Sequence, residues 1–155
     1  MQVHPFVNSN QQKANLLAMG GNADEVEMFC KNTGLYPNSR GANLAARCGH
    51  TGMLNFLLYR GIKPTNQGAR WAAEKGYLKV VKLLGRAGVC LHGSPDAALV
   101  RGHFGLVLFL YRKYGISPTP NGVDVAVAMR NIDAVGFARS KFRIQPTEHK
   151  HLYSK

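Results

Sequence analysis

The apolar residues of this chain fall into pairs of short runs, and residues 69–88 show the pattern most clearly. Small and aromatic side chains fill the first run, before Gly76, and aliphatic side chains recur at helical spacing in the second run, after it. Glycine adopts a left-handed helix-ending conformation at little cost, so Gly76 is predicted to separate two helices. Isolated helices shorter than ~12–15 residues are marginal in water. The hairpin therefore needs similar hairpins packed on both sides.

The same pattern occurs five times, at intervals of 26 to 28 residues. The predicted turn residues are Gly21, Gly49, Gly76, Gly102 and Arg130. A fixed period of this length is typical of a solenoid, in which each repeat buries its apolar face against its neighbours. The sequence predicts an all-α fold, a short solenoid of about five helix-turn-helix units forming a single domain over residues 1–155. Residues 145–155 are predicted to be a cap or a mobile tail.

The loops between the hairpins repeat as well. A proline follows four of the turns by 15 or 16 residues, and a glycine follows three of those prolines by four. The prolines are Pro37, Pro64, Pro118 and Pro146, and the glycines are Gly41, Gly68 and Gly122. Proline and glycine favour tight turns, so we expect short loops between the repeats.

Two stretches resemble a known family. Residues 45–61 (AARCGHTGMLNFLLYRG) and 72–88 (AAEKGYLKVVKLLGRAG) are similar to the ankyrin-repeat pattern A-A-x-x-G-H-x-E-V-V-K-L-L-L-x-x-G. The resemblance extends over residues 11–144. These short repeats are similar to the compact ankyrin-like repeats of giant viruses of amoebae. The family's T-P-L-H tetrapeptide is missing, and the period is about six residues shorter. The resemblance implies a protein-binding scaffold whose β-hairpin fingers are reduced to tight loops.

The charge is strongly positive, with 20 Lys and Arg against 8 acidic residues and a formal net charge of +12. Between Arg40 and Lys113 only Glu74 and Asp96 are acidic, which leaves that segment a net charge of +10. The first 33 residues have a net charge of −1. Such a balance favours contact with polyanions without specifying a fold.

The basic residues recur at similar positions in the repeats. One predicted column lies near the C-terminal ends of the second helices, where cations stabilise the helix dipole by ~0.3–1 kcal/mol each. A second predicted row of basic residues lies on the first helices. Stabilisation of helix dipoles alone does not require this row, so it suggests an anionic partner. The candidate partner-binding residues are Arg47, Arg60, Arg70, Lys75, Lys79, Lys82, Arg86, Arg101, Arg112 and Lys113.

Nothing in the sequence predicts catalysis, a cofactor or a metal. His50 and His103 follow turn glycines and are interpreted as structural, and the His149-x-His151 pair lacks further ligands at fixed spacing. Paired carboxylates, a nucleophile elbow and a phosphate-binding glycine loop are absent from the sequence. We therefore expect a protein that is not an enzyme.

The three cysteines and the termini bear on the compartment. Cys30, Cys48 and Cys90 are odd in number and lack C-x-x-C spacing, so reduced thiols are expected, with Cys30 and Cys48 buried. The N-terminus has no apolar signal region, and the longest apolar run is too short to span a membrane. These features predict an intracellular protein, in the cytoplasm or nucleus of a host cell or in a virion.

Two functions stay open at this point. The resemblance favours a scaffold that engages an acidic protein, whereas the charge favours sequence-independent binding of DNA or RNA through the phosphate backbone, as in a virion- or chromatin-associated protein. Trp71 and Tyr77 are predicted to lie in the core. The basic residues therefore have no neighbouring aromatic side chain on which the base of a single strand could stack. The oligomeric state is left open.

Overall fold

A computed structural model describes residues 9–147 as ten α-helices, and none of these residues lies in a β-strand. The helices are α1 (Ser9–Gly20), α2 (Ala23–Thr33), α3 (Ser39–Arg47), α4 (Thr51–Tyr59), α5 (Asn66–Lys75), α6 (Leu78–Arg86), α7 (Ser94–Val100), α8 (Phe104–Tyr114), α9 (Pro120–Ala128) and α10 (Ile132–Phe142). Odd-numbered helices are the first helices of the five repeats, and even-numbered helices are the second helices.

The helices divide between two compact units. The first unit takes in the chain up to residue 72 together with residues 79–90, and the second takes in residues 73–78 together with the chain from residue 91 onward. Helices α1–α4 therefore belong to the first unit and α7–α10 to the second, while α5 and α6 contribute residues to both.

In the first unit, neighbouring hairpins pack through like helices. α1 packs against α2 and α3, α3 packs against α4, and α2 packs against α4. Ala42, Ala45 and Ala46 are fully buried on α3. Their small side chains let the first helices approach closely, and larger residues of α4 such as Leu54 and Leu57 are fully buried as well.

The second unit repeats this arrangement. α7 packs against α8, α9 and α10, and α9 packs against α10. Leu99, Leu106 and Leu110 are buried, as are small residues such as Ala126 and Ala134. The sequential packing of helical hairpins in each unit agrees with the predicted all-α, repeat-like fold.

The turn inside each hairpin has the conformation that the sequence predicts. Gly21, Gly49, Gly76 and Gly102 have φ angles between 78° and 81°, and Arg130 has a φ angle of 58°. A side chain in this left-handed region costs roughly 1–2 kcal/mol. The presence of Arg130 shows that the flanking helices impose the turn even where the residue is not glycine.

Histidines pack on two of these turns. A Cβ atom added to Gly76 would lie 2.7 Å from the ring of His103, and a Cβ atom on Gly21 would lie 2.7 Å from the ring of His50. His50 and His103 precede α4 and α8 and make no side-chain capping hydrogen bond there. Both rings thus pack against the turn of the preceding repeat, as expected for structural histidines.

Side-chain hydrogen bonds join successive first helices in the first unit. The Asn43 Oδ1 atom accepts a hydrogen bond from the Thr65 backbone N–H at 2.8 Å, and Asn43 Nδ2 donates to Thr65 Oγ1 at 2.9 Å. One repeat earlier, Asn15 Oδ1 accepts from the Asn38 N–H at 2.9 Å. Asn15 and Asn43 are both buried. Their amides therefore bond the residue just ahead of the next first helix.

An aspartate makes the same connection in the second unit. Asp96 accepts from the Thr119 N–H at 2.7 Å and from the Thr119 hydroxyl at 2.5 Å. Asp124 accepts from the N–H and hydroxyl of Thr147 in the same way. The Thr119 hydroxyl oxygen also caps α9 by accepting a hydrogen bond from the Gly122 N–H. One side chain thereby links two repeats and starts a helix.

The recurring proline and glycine of the loops serve this connection. Pro64 and Pro118 are buried, and each is followed four residues later by a glycine that faces the Asn or Asp of the preceding repeat. A Cβ atom on Gly68 would lie 2.5 Å from Asn43 Oδ1, and one on Gly122 would collide with Asp96. Only glycine lets the next helix start this close to the linking side chain.

The structure corrects three sequence-based expectations about burial. Trp71, on α5, is only half-buried, and Tyr77, in the turn between α5 and α6, is 37% exposed. Cys48 is exposed, since it follows the last turn of α3, whereas Cys30 is buried as expected. His149, His151 and most of the predicted C-terminal cap or tail lie outside the described residues.

The Gly76 turn yields a stability prediction. Gly76→Ala introduces both left-handed strain and a clash with the His103 ring, and overpacking of this kind costs ~1–3 kcal/mol beyond the strain. Gly102→Ala is the matched control, because Gly102 has the same φ angle but open space around its Cα atom. We expect the Gly76 variant to melt several degrees below the Gly102 variant in thermal unfolding followed by circular dichroism.

A double-mutant cycle with His103→Ala isolates the clash. The cost of Gly76→Ala should fall to that of Gly102→Ala once the ring is removed. Equal melting temperatures for the two single glycine variants would contradict the contact between Gly76 and His103.

The hydrogen bonds between repeats yield a second prediction. Asp96→Ala leaves the Thr119 N–H without its acceptor and should lower the free energy of unfolding by ~1–3 kcal/mol. Asp96→Asn should cost clearly less, because Asn43 makes the equivalent pair of hydrogen bonds with Thr65. Urea unfolding of the two variants measures the difference, and equal losses would show that the amide cannot replace the carboxylate here.

Candidate anion-binding surface

Helix α6 presents a basic stripe to solvent. Lys79, Lys82 and Arg86 follow one another at spacings of three and four residues, which places them on one helix face. Lys79 and Arg86 are exposed, and Lys82 is half-buried. The opposite face of α6 is buried through Val80, Val81 and Leu84. Burial of the aliphatic face thus fixes the direction in which the basic stripe points.

The helix dipole does not account for the whole stripe. Arg86 lies in the last turn of α6, where a cation is favourable. Lys79 is the second residue of the helix, at the end where the dipole disfavours a cation. Lys79 and Arg86 form no ion pair with an acidic residue in the described part of the chain. Neither the helix dipole nor an ion pair in the described part of the chain accounts for the charge of Lys79.

Arg60, by contrast, is held by its own repeat and the one before. Its guanidinium donates to the Tyr36 hydroxyl at 2.6 Å and to Glu27 Oε1 at 3.3 Å. The guanidinium carbon also lies 4.7 Å from the ring centroids of Tyr36 and Phe56. Together with Lys63, Arg60 lines an open groove of about 650 Å³ beside Tyr36. Its principal contacts are intramolecular.

The same cluster affects the neighbouring thiol. Burial raises the pKa of Cys30, and Glu27 raises it further, while the positive charge of Arg60 lowers it in part. The net pKa lies above the ordinary value for cysteine. Because the thiolate is the reactive form, Cys30 is a poor nucleophile at neutral pH, which fits a structural residue.

Two more of the predicted binding residues are engaged within the chain. Arg101 forms an ion pair with Glu74, with its Nη2 atom 2.9 Å from Oε1. The guanidinium of Arg47 lies over the ring of Trp71, 5.4 Å from the centroid. Both arginines are exposed, so these contacts are worth at most ~1 kcal/mol each. Either side chain can exchange its contact for an external partner at small cost.

The row of basic residues on the first helices has a simpler explanation than the sequence suggests. Arg47 and Lys75 lie in the last turns of α3 and α5, and Arg101 is the C-cap of α7. Cations at these positions also complement the helix dipole. Only Arg70, in the middle of α5, lies away from a helix end. The row on the first helices therefore does not by itself indicate a partner.

In the second unit, Arg112 and Lys113 are exposed in the last turn of α8. With Leu108 and Phe109 they line a shallow groove of about 430 Å³. This surface combines positive charge with an apolar floor, unlike the purely basic stripe on α6.

One exposed aromatic residue was not singled out by the sequence analysis. Tyr59, the last residue of α4, is 93% exposed. It stands ten residues after its turn, the position that Arg86 and Arg112 hold in later repeats. A tyrosine at a position that is basic in other repeats was the sequence signal that could have identified Tyr59.

A comparison with protein-family models found no match, and a search of curated proteins also found none. Among residues 9–147, no three His, Cys, Asp or Glu side chains are grouped so that they could hold a metal ion. No helix within that range is long and apolar enough to cross a membrane.

The contrast between Arg60 and Arg86 gives a third prediction. Arg60→Gln removes an ion pair and two cation–π contacts, and we expect it to lower the free energy of unfolding by ~1–2 kcal/mol. Arg86→Gln removes the same charge from an exposed site and should change stability by less than ~0.5 kcal/mol. Urea unfolding compares the two, and equal effects would contradict the structural assignment of Arg60.

Proposed function

We propose that this chain is a non-catalytic binding scaffold, ankyrin-like in style, that engages an acidic protein partner through its basic surface. The observation that supports this function best is the stripe of Lys79, Lys82 and Arg86 on α6. Lys79 and Arg86 are exposed on the face opposite the buried aliphatic residues, and Lys79 stands where the helix dipole opposes it. A helix that keeps a cation in that position gains from an anion supplied by another molecule.

A short acidic segment of a protein suits the stripe better than a long nucleic acid. The three cations span fewer than two turns of one rigid helix, a patch about as long as the exposed face of a partner helix. Exposed charge pairs of this kind add 0.2–1 kcal/mol each, and they raise the association rate and the specificity more than the affinity.

Sequence-independent binding of DNA or RNA is the second candidate, and Tyr59 is the observation that favours it. An almost fully exposed tyrosine can stack on a base, and it belongs to the same unit as the α6 stripe. Virion or chromatin association would follow from that activity. The two candidates differ in how their binding should depend on salt and on the chemistry of the polyanion.

The decisive experiment compares a labelled polyglutamate peptide with labelled duplex and single-stranded DNA over a salt series, using fluorescence anisotropy. A triple variant, Lys79→Gln, Lys82→Gln and Arg86→Gln, should weaken peptide binding roughly tenfold. The matched control, Lys31→Gln, Arg40→Gln and Lys63→Gln, removes the same charge from exposed sites of the same unit and should have a much smaller effect.

The outcomes separate the candidates. Peptide binding at ~150 mM salt with no DNA binding supports the protein scaffold. DNA binding whose log–log salt slope falls by about 2.7 in the α6 variant, at ~0.9 for each lost phosphate contact, supports the nucleic-acid alternative. Equal losses in the α6 variant and the control would show that net charge alone is responsible and would overturn the proposed site.

A further inference from the structure

The contact between consecutive second helices has two halves at fixed positions of the repeat. In the second unit, the rings of Phe104 and Phe137 stack with a centroid distance of 4.3 Å and an interplanar angle of 13°. Phe104 lies two residues after its turn residue, and Phe137 lies seven residues after the turn residue of the next repeat. The position two residues after the turn therefore faces the following repeat, and the position seven residues after it faces the preceding one.

Each of these two positions also holds a large apolar residue in another repeat. There, the described residues include no apolar partner that packs against it. Ile132 lies two residues after Arg130, so it corresponds to Phe104, and it is 81% exposed. Met28 lies seven residues after Gly21, so it corresponds to Phe137, and it is 65% exposed. In both cases a large apolar side chain stands in solvent at a position that packs against a neighbouring repeat elsewhere.

The surface around Ile132 is a preformed groove. α9 and α10 enclose about 260 Å³ between Val127, Arg130, Ile132, Val135 and Arg139. Gly136 also lines it and leaves room for an incoming side chain. By register, the groove is the place where the repeat after α9 and α10 would insert the side chain that corresponds to Phe137.

The charges around the two surfaces are complementary. Arg130 and Arg139 flank the groove, and both are exposed. Asp24 and Glu25 lie about one helical turn before Met28 and are exposed too, while Lys31 lies about one turn after it. An acidic helix with a protruding methionine thus matches a basic groove with an exposed isoleucine.

We propose that two copies of this chain associate head to tail. The α2 surface around Met28 of one molecule docks into the groove between α9 and α10 around Ile132 of another. Met28 fills the place that Phe137 takes inside the second unit, and Glu25 meets Arg130 or Arg139. The contact is heterologous, since each copy uses a different surface, so it leaves one surface of each kind free and continues with further copies.

Two physical effects oppose this association, and neither prevents it. The net charge of +12 makes the copies repel each other, but at 0.15 M ionic strength the Debye length is only ~8 Å, so the local acidic-to-basic contact outweighs distant charges. Glu25 occupies a position that is apolar and buried in the later repeats, as in Leu106 and Ala134. Its desolvation needs a cationic partner, which the arginines of the groove supply.

The test uses the full chain and two variants that each block one surface. Met28→Lys places a cation against the two arginines of the groove, and Ile132→Glu places an acid against Glu25. Both positions are exposed, so both variants should fold, which circular dichroism verifies. Tyr59→Lys introduces the same charge as Met28→Lys at an exposed aromatic residue outside both surfaces and is the control. Sedimentation equilibrium measures the mass of each up to roughly 100 μM, a range that detects weak association.

The measured masses of the unmodified chain and of the Tyr59 variant should rise above the monomer mass of 17.0 kDa as the concentration increases. They should not level off at the mass of a dimer. Each blocked variant alone should remain at 17.0 kDa. An equimolar mixture of the two should form a dimer and stop there, because only one intact pair of surfaces remains. A monomeric unmodified chain, a mixture that stays monomeric, or blocked variants that associate like the parent would each overturn the proposal.

Discussion

The hydrogen bond from the backbone ahead of α3, α5 and α9 to an Asn or Asp of the preceding repeat is the constraint on which the described hairpins depend. The helices are 7 to 12 residues long, too short to be stable alone, so each hairpin needs a neighbour held in one register. Asn43 with Thr65 and Asp96 with Thr119 set that register. The close approach they require accounts for the glycine that follows Pro37, Pro64 and Pro118 by four residues, and the short loops leave no β-strands among residues 9–147.

Residues of one chemical type have different roles in this protein. Arg60 contacts Glu27 and two aromatic rings, and we expect it to contribute to the stability of the first unit. Lys79 and Arg86 stand on the solvent face of α6 with no acidic counterpart in the described part of the chain. The excess of positive charge is therefore partly used inside the fold, and only the remainder is available to a partner.

A repeat architecture has consequences for its own terminal hairpins. The surface that stacks one hairpin on the next is present in every copy, so the first and last described repeats still carry it. Met28 and Ile132 are exposed for this reason, and neither would attract attention as an isolated surface residue. Partner binding through α6 and association through these two surfaces use different residues, so both can occur in one molecule.

The sequence by itself determined the helical hairpins, their turn residues and the repeat length, because these depend on local preferences: glycine at positive φ, proline in loops, and apolar spacing along a helix. It also located the basic residues, but not which of them are free. That depended on side chains distant in sequence, since Glu27 meets Arg60 across 33 positions and Glu74 meets Arg101 across 27. Exposure of Trp71, Tyr77, Cys48 and Tyr59 was likewise decided only by how neighbouring hairpins pack, because a helix pattern does not reveal which part of its surface another helix will cover.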